Sequence, residues 1–210
     1  MKVIVVASRK GGVGKTTISG HLAVEAERTG HGPVALIDTD EQGNLADWWN
    51  ARQAPTPLFA RADIASLGTA LHGLRQQGVR LVIIDTPPGM NTEAKTTLSA
   101  IVPHADLVLV PTRPSPHDLR AIGATIELVE TLGKRMIFVV NGAAHRARIT
   151  GQAAIALSQH GTVAPAILMQ RTDYASSMTD GRTAQELDPA GRSAAEIAEL
   201  FRYVLKHVDK

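Results

Sequence analysis

The chain has 210 residues, 44% of them hydrophobic, enough to bury the core of one domain, and its formal charge of +2 is too small to identify a polyanionic partner by itself. It contains no cysteine, which excludes disulfides, thiolate zinc sites and iron–sulfur ligation. Aromatic residues make up only 3%, so the core has to be built from Val, Ile, Leu and Ala, and a single-strand binder that works by base stacking has few residues to use.

Residues 3–7, Val3-Ile4-Val5-Val6-Ala7, read as a buried parallel strand. They deliver the chain to Lys10-Gly11-Gly12-Val13-Gly14-Lys15-Thr16-Thr17, after which a helix is expected over 15–29, closed by Gly30. Small residues at such a turn let backbone N–H groups converge on phosphate oxygens, and the following helix aims its unpaired N–H groups at the same anion. Lys15 adds a full charge, and the Thr16 hydroxyl is placed to meet Mg²⁺. The match to G-x-x-x-x-G-K-[ST] is incomplete, because Arg9 stands where the first glycine belongs. A chance glycine-rich turn is the plainer alternative.

A second strand over 33–38 ends in Asp38-Thr39-Asp40-Glu41-Gln42-Gly43-Asn44, with carboxylates on the ligand side of an open sheet. A short helix over 45–53 carries Trp48 and Trp49, read as packing residues, and a weak strand over 58–60 follows. Asp63 is positioned to cap a helix to about Gln77 with the stripe Ile64, Leu67, Leu71 and Leu74. A strand over 79–85 ends in Asp85, the acid expected near a Mg²⁺ water shell when a phosphate loop is present. Strands over 106–110 and 135–140 follow, separated by the turn Pro111 to Pro116 and a helix over 116–132. Asn141 ends the second of them and suits a turn before Gly142.

A helix over 150–160 and a strand over 163–168 precede a last helix that opens on Ser193-x-x-Glu196, a capping-box pattern. Its stripe of Ala194, Ile197, Phe201, Val204, Leu205 and Val208 suits packing on a sheet. Glu199, Arg202, Lys206 and Lys210 give its polar side mixed sign, which does not favour a membrane surface. Residues 132–171 contain no Asp or Glu but hold Lys134, Arg135, Arg146, Arg148 and Arg171. This basic block is a candidate DNA-binding surface, with Arg146, Arg148 and Arg171 foremost; a solvated basic face is the other reading. The eight histidines show no metal-ligand spacing, and no G-x-S-x-G elbow supports nucleophilic catalysis. The apolar runs are strand-sized and the N-terminus reaches Arg9 too early for a signal peptide, so a cytoplasmic protein is expected.

The stretch Lys10 to Thr17, the segment 38–44 and Ile84-Asp85-Thr86-Pro87-Pro88-Gly89 together resemble the deviant Walker A ATPases of the ParA/MinD superfamily. Pro111-x-x-Pro114-Ser115-x-x-Asp118-Leu119, the segment 170–181 and Asp188-Pro189-x-Gly191 add to the likeness, which extends over nearly the whole chain. The resemblance implies one P-loop NTPase domain over 1–210, α/β, with a mostly parallel sheet and helices on both faces. It implies ATP and Mg²⁺, with Gly11, Gly12, Val13, Gly14, Lys15, Thr16 and Thr17 around the phosphates and Asn141 at adenine. Thr16, Asp38 and Asp85 fall to the metal, and Asp40 to the attacking water. Lys10 is the lysine that reaches the partner's nucleotide in an ATP sandwich dimer. Glu41 departs from the family's usual proline.

The function implied is slow, partner-stimulated ATP hydrolysis in a positioning or partition ATPase. Such a protein binds nonspecific DNA as the ATP dimer, associates with the nucleoid and is released by a ParB-like or other cargo-adaptor activator. A metabolic ATP-dependent ligase of the same superfamily and a MinD-like membrane-associated regulator are the alternatives.

Overall fold

Parallel strands whose side chains are apolar on both faces have to be covered on both faces, and the chain supplies helices between successive strands to do so. The computed structural model describes residues 1–89 and 91–209; Lys210, read above as part of the last helix's polar side, lies outside the described residues. In chain order the elements are β1 (Lys2–Val6), α1 (Lys15–Arg28), β2 (Val34–Asp38), α2 (Asn44–Ala51), β3 (Leu58–Arg61), α3 (Leu67–Gln76) and β4 (Leu81–Asp85). Then come α4 (Thr92–Ile101), β5 (Leu107–Thr112), α5 (Pro116–Ala121), α6 (Gly123–Thr131), β6 (Met136–Ala143) and α7 (Arg148–Ser158). The chain closes with β7 (Thr162–Val163), β8 (Leu168–Met169), α8 (Thr172–Ser177), α9 (Ala184–Leu187) and α10 (Arg192–Val208). The strands pair in the order β3-β2-β4-β1-β5-β6-β7, with β8 on β6, and every pairing is parallel. This is a single α/β domain.

Alternation along β1 divides the interior in two. Ile4 and Val6 join the core under α1, α2 and α10, whereas Val3 and Val5 join the core under α3, α4, α6 and α7. Of the stripe of α10, Ile197, Phe201, Val204 and Val208 lie inside the first core with Leu22 and Leu36, joined there by Leu200, while Leu205 packs against it partly buried. No helix among the described residues is long and apolar enough to cross a membrane.

Four local expectations are corrected. The third helix starts at Leu67 rather than after Asp63, because Asp63 Oδ1 accepts the Ser66 N–H at 2.8 Å and holds a turn; Ile64 is left 43% exposed, outside the buried stripe. The helix expected over 116–132 is two helices that meet at Ile122 and Gly123. The strand expected over 163–168 is two short strands interrupted around Pro165, which has no N–H to give to a ladder. Ser193 and Glu196 form no capping box: Ser193 Oγ donates to Asp173 Oδ2, and Glu196 bonds Arg171, Tyr174 and the Met169 N–H. The capping box that does form is Thr183 with Glu186, on α9. The helices α4, α8 and α9 were not foreseen.

Buried His21 ties α1 to α9. Its Nδ1–H donates to the Thr17 carbonyl (2.8 Å) and its Nε2 accepts the Ala184 N–H (3.1 Å), an arrangement that requires neutral imidazole. Burial pulls its pKa down from 6.5 to about 4. The folded protein therefore binds fewer protons than the unfolded chain between those values, so this contribution is complete above the unfolded pKa and lost as the pH falls toward the folded one. At its largest it is worth roughly 3 kcal/mol. The urea midpoint of the wild type should fall more steeply between pH 7 and 4.5 than that of His21→Gln; parallel slopes would contradict the assignment.

Candidate active site

The register of three adjacent strands builds the site. Val6 of β1 and Asp38 of β2 both pair with Asp85 of β4, so the phosphate loop and the two acids leave the sheet at one level of its C-terminal edge. The loop turns through Gly12 (φ 72°) and Gly14 (φ 93°), left-handed conformations that favour glycine. Gly14 caps α1 and its carbonyl accepts the Ile18 N–H, so α1 begins with its free N–H groups toward the loop.

Asn141, at the edge of β6, donates Nδ2–H to the Val13 carbonyl at 2.7 Å. A Cβ on Gly14 would stand only 2.2 Å from that same nitrogen. Asn141 thus braces the loop, while Gly142 (φ 65°) makes the turn behind it.

The Thr16 hydroxyl donates to Asp85 Oδ2 at 2.6 Å, and Asp85 Oδ1 is buried without a hydrogen-bond partner among the described residues. Burial pushes the Asp85 carboxyl up to about 7, against the pull of the Thr16 bond and Lys15. Asp38 accepts the Asp40 and Ala46 N–H groups at 2.9 and 3.0 Å, and burial raises its pKa too. Lys15 is 7% exposed; burial lowers its pKa, with the charges of Asp85 and Asp40 acting the other way. An orphaned carboxylate oxygen beside a threonine hydroxyl is the donor set of a hard cation that keeps much of its water, so these residues fit Mg²⁺. No group of three His, Asp or Glu among the described residues could hold a metal unaided. Such an ion would lean on phosphate and water.

Two cavities meet across Asp40 and Pro88. The one bounded by Gly12, Gly14, Lys15 and Thr16 measures about 360 Å³. The larger, about 600 Å³, is lined by Glu41, Asp63 and Glu93 and by no Lys or Arg among the described residues, so of the two the smaller suits phosphate. Lys10 sits half-exposed at the loop, and its ammonium has no partner among the described residues.

Arg9, the departure from the Walker pattern, turns out to brace the segment after β4. Its side chain donates to the Gly89 and Asn91 carbonyls at 3.4 Å, and its carbonyl accepts the Gly89 N–H at 3.0 Å. Glu41 stands in an exposed turn that Asp40 holds by accepting the Gln42 N–H. Neither role has a local sequence signal.

The basic window does not form one patch. Lys134 and Arg135 precede β6 and bond the carbonyls of Ala105 and His207, at the opposite end of the strand from Arg146 and Arg148. Arg171 reaches the edge where Asn141 lies but is ion-paired to Glu196 at 2.6 Å. Arg146 and Arg148 are exposed and without partners among the described residues.

Strand order, glycine loop and paired acids define a phosphate-loop nucleotide-binding domain. The CobQ/CobB/MinD/ParA nucleotide binding domain family matches residues 4–184. The maintenance of carboxysome distribution protein A of Halothiobacillus neapolitanus is 30% identical, over 96% of this chain and 95% of its own length. A protein ParA from Rhizobium radiobacter is 33% identical over 61% of this chain and 56% of its own. The Pyrococcus horikoshii septum site-determining protein MinD, solved with Mg-ADP, superposes with a TM-score of 0.79 at 17% identity, over 100% of this chain and 98% of its own. The chain belongs to this family, and with it to the ParA/MinD superfamily of nucleotide-binding ATPases.

Gly14→Ala should lower stability by about 1–3 kcal/mol, from left-handed strain and from displacement of Asn141. Combining it with Asn141→Ala should relieve only the collision, so the second loss should be smaller than Asn141→Ala costs alone. Denaturant midpoints of the four proteins of the cycle measure this, and strict additivity would count against the close approach.

Proposed function

We propose that this protein is an ATP-driven positioning ATPase, which dimerises around ATP, holds nonspecific DNA in that state and is released when a cargo-bound adaptor stimulates hydrolysis. The observation that carries the reading is Lys10. The loop holds two lysines, and its own subunit buries one, Lys15, among Asp85 and Asp40 while leaving the other without a partner among the described residues. A cation unused within the subunit is suited to a phosphate presented by a second one. The full-length likeness to a carboxysome distribution protein supports a large protein assembly as cargo, with a plasmid or chromosome region as the alternative. Cytoplasmic residence, with nucleoid association in the ATP state, follows from this reading.

In the proposed mechanism Lys15 and the N–H groups of Gly11, Gly12, Val13 and Gly14 hold the phosphates, with Thr16 and Thr17 at the start of α1. Thr16, Asp38 and Asp85 would hold the metal and its water, and Asn141 flanks the base. When bound, Mg²⁺ would supply charge neutralisation across the phosphate oxygens. Asp40 positions the attacking water, its backbone N–H held by Asp38. Lys10 reaches across to the partner's nucleotide, offsetting repulsion between two triphosphates near the interface. Loss of the phosphoryl group that Lys10 grips weakens the dimer, a switch by differential affinity.

Lys15→Ala should abolish nucleotide binding, as breaking a buried charge pair costs about 3–5 kcal/mol. Lys10→Ala should keep monomer affinity for ATP yet fail to dimerise with it, and Asp40→Ala should dimerise yet hydrolyse slowly. Binding titrations, light scattering and phosphate release distinguish the three; equal loss of ATP affinity in both lysine variants would remove the role across the dimer.

For DNA, the exposed pair Arg146 and Arg148 is the foremost site, and Arg171, already neutralised by Glu196, contributes less. Dimerisation doubles the phosphate contacts on one face, and each contact releases counterions. Arg146→Ala with Arg148→Ala should weaken ATP-dependent duplex binding and flatten its dependence on salt, whereas Arg171→Ala should do less. An unchanged salt slope in all variants would move the DNA site elsewhere.

A further inference from the structure

Among the side chains lining the smaller cavity, Lys15 and Arg113 are cationic and Asp40 is anionic. Lys15 and Asp40 alone would cancel, so Arg113 is what leaves the lining positive. Arg113 follows Thr112, which pairs with Val140 at the C-terminal end of β5. Its carbonyl accepts the Ser115 N–H at 2.8 Å, and Ser115 in turn caps α5 by accepting the Asp118 N–H at 3.1 Å, so the backbone beneath the side chain is held. The stem runs beside Gly142, with Cγ, Cδ and Nε 3.6 to 3.9 Å from where a Cβ would stand. The guanidinium is exposed and has no partner among the described residues.

We propose that Arg113 is a second phosphate-contacting cation acting within its own subunit, a role that rests on the nucleotide reading above. A triphosphate brings more negative charge than Lys15 can meet, because Asp85 and Asp40 already share its field. A guanidinium offers a planar fork that matches phosphate oxygens, and its charge does not titrate away. No aromatic side chain lines this cavity, so affinity depends on how well the phosphates are held.

The test titrates a fluorescent ATP analogue into Arg113→Ala and Arg113→Lys, each built on Lys10→Ala so that dimerisation does not enter, and competes it with tripolyphosphate, which has no base. A charge-assisted contact predicts that Arg113→Ala weakens both ligands by roughly tenfold or more, with part of the loss recovered by lysine. The side chain is exposed and unbonded, so thermal unfolding of the ligand-free variants should match their parent.

Unchanged ATP affinity in Arg113→Ala would overturn the proposal. So would weakened ATP with unchanged tripolyphosphate, which gives the guanidinium to the base. Failure of the wild type to bind any nucleotide would sink the underlying reading, an outcome distinct from a wild type that binds ATP and an Arg113→Ala variant that binds it as tightly as its parent.

Discussion

Burial of a carboxylate at the end of β4 is the constraint on which the rest of the site depends. Asp85 is 1% exposed, and a group so placed has to be paired, protonated or bound to a cation. The surroundings supply part of the compensation: the Thr16 hydroxyl on one oxygen and the Lys15 charge nearby. The other carboxylate oxygen has no hydrogen-bond partner among the described residues. A sheet edge that buries an acid next to a glycine loop with one oxygen unsatisfied suits a cation in the way the proposed function uses it.

The frame behind this edge is held by α9, which has only four residues. His21 and Gln185 join it to α1, the helix that follows the phosphate loop. Glu186 joins it to α2, the helix that follows the Asp38 segment, through a two-pronged ion pair with Arg52 at 2.6 and 2.9 Å. Gly181 comes so close to the Arg52 backbone that a Cβ there would stand 2.3 Å from its nitrogen. The far end of α2 is tied to Asp38 through the Ala46 N–H. The two helices that flank the ligand face therefore share one anchor, while the Glu41 and Gln42 turn between β2 and α2 stays exposed.

Charge follows the same division between strand ends. One stretch of sequence without acids is distributed by β6 over two edges of the sheet. Glu196, from α10, reaches into the stretch that contains no acid of its own and takes Arg171. Of this stretch's cations, Arg146 and Arg148 are left without partners among the described residues, at the edge that also carries the phosphate loop.

The glycine loop, the strands ending in Asp38 and Asp85, and a parallel sheet covered by helices on both faces were legible in the sequence. Each is a local pattern: glycines set turn geometry within a few residues, and an uninterrupted apolar run requires cover on both faces. Local patterns also misled, for two reasons. Asp63 accepts the N–H of Ser66, three residues on, which closes a turn and delays the helix to Leu67. Ser193 and Glu196 form no capping box because they bond Asp173, Tyr174 and Arg171, partners that only tertiary contact brings near. The bracing of Gly89 by Arg9, of Val13 by Asn141, and the place of Arg113 in the cavity link strands far apart in the chain. No periodicity records them; only the parallel register of β1, β4, β5 and β6 brings those residues to one edge.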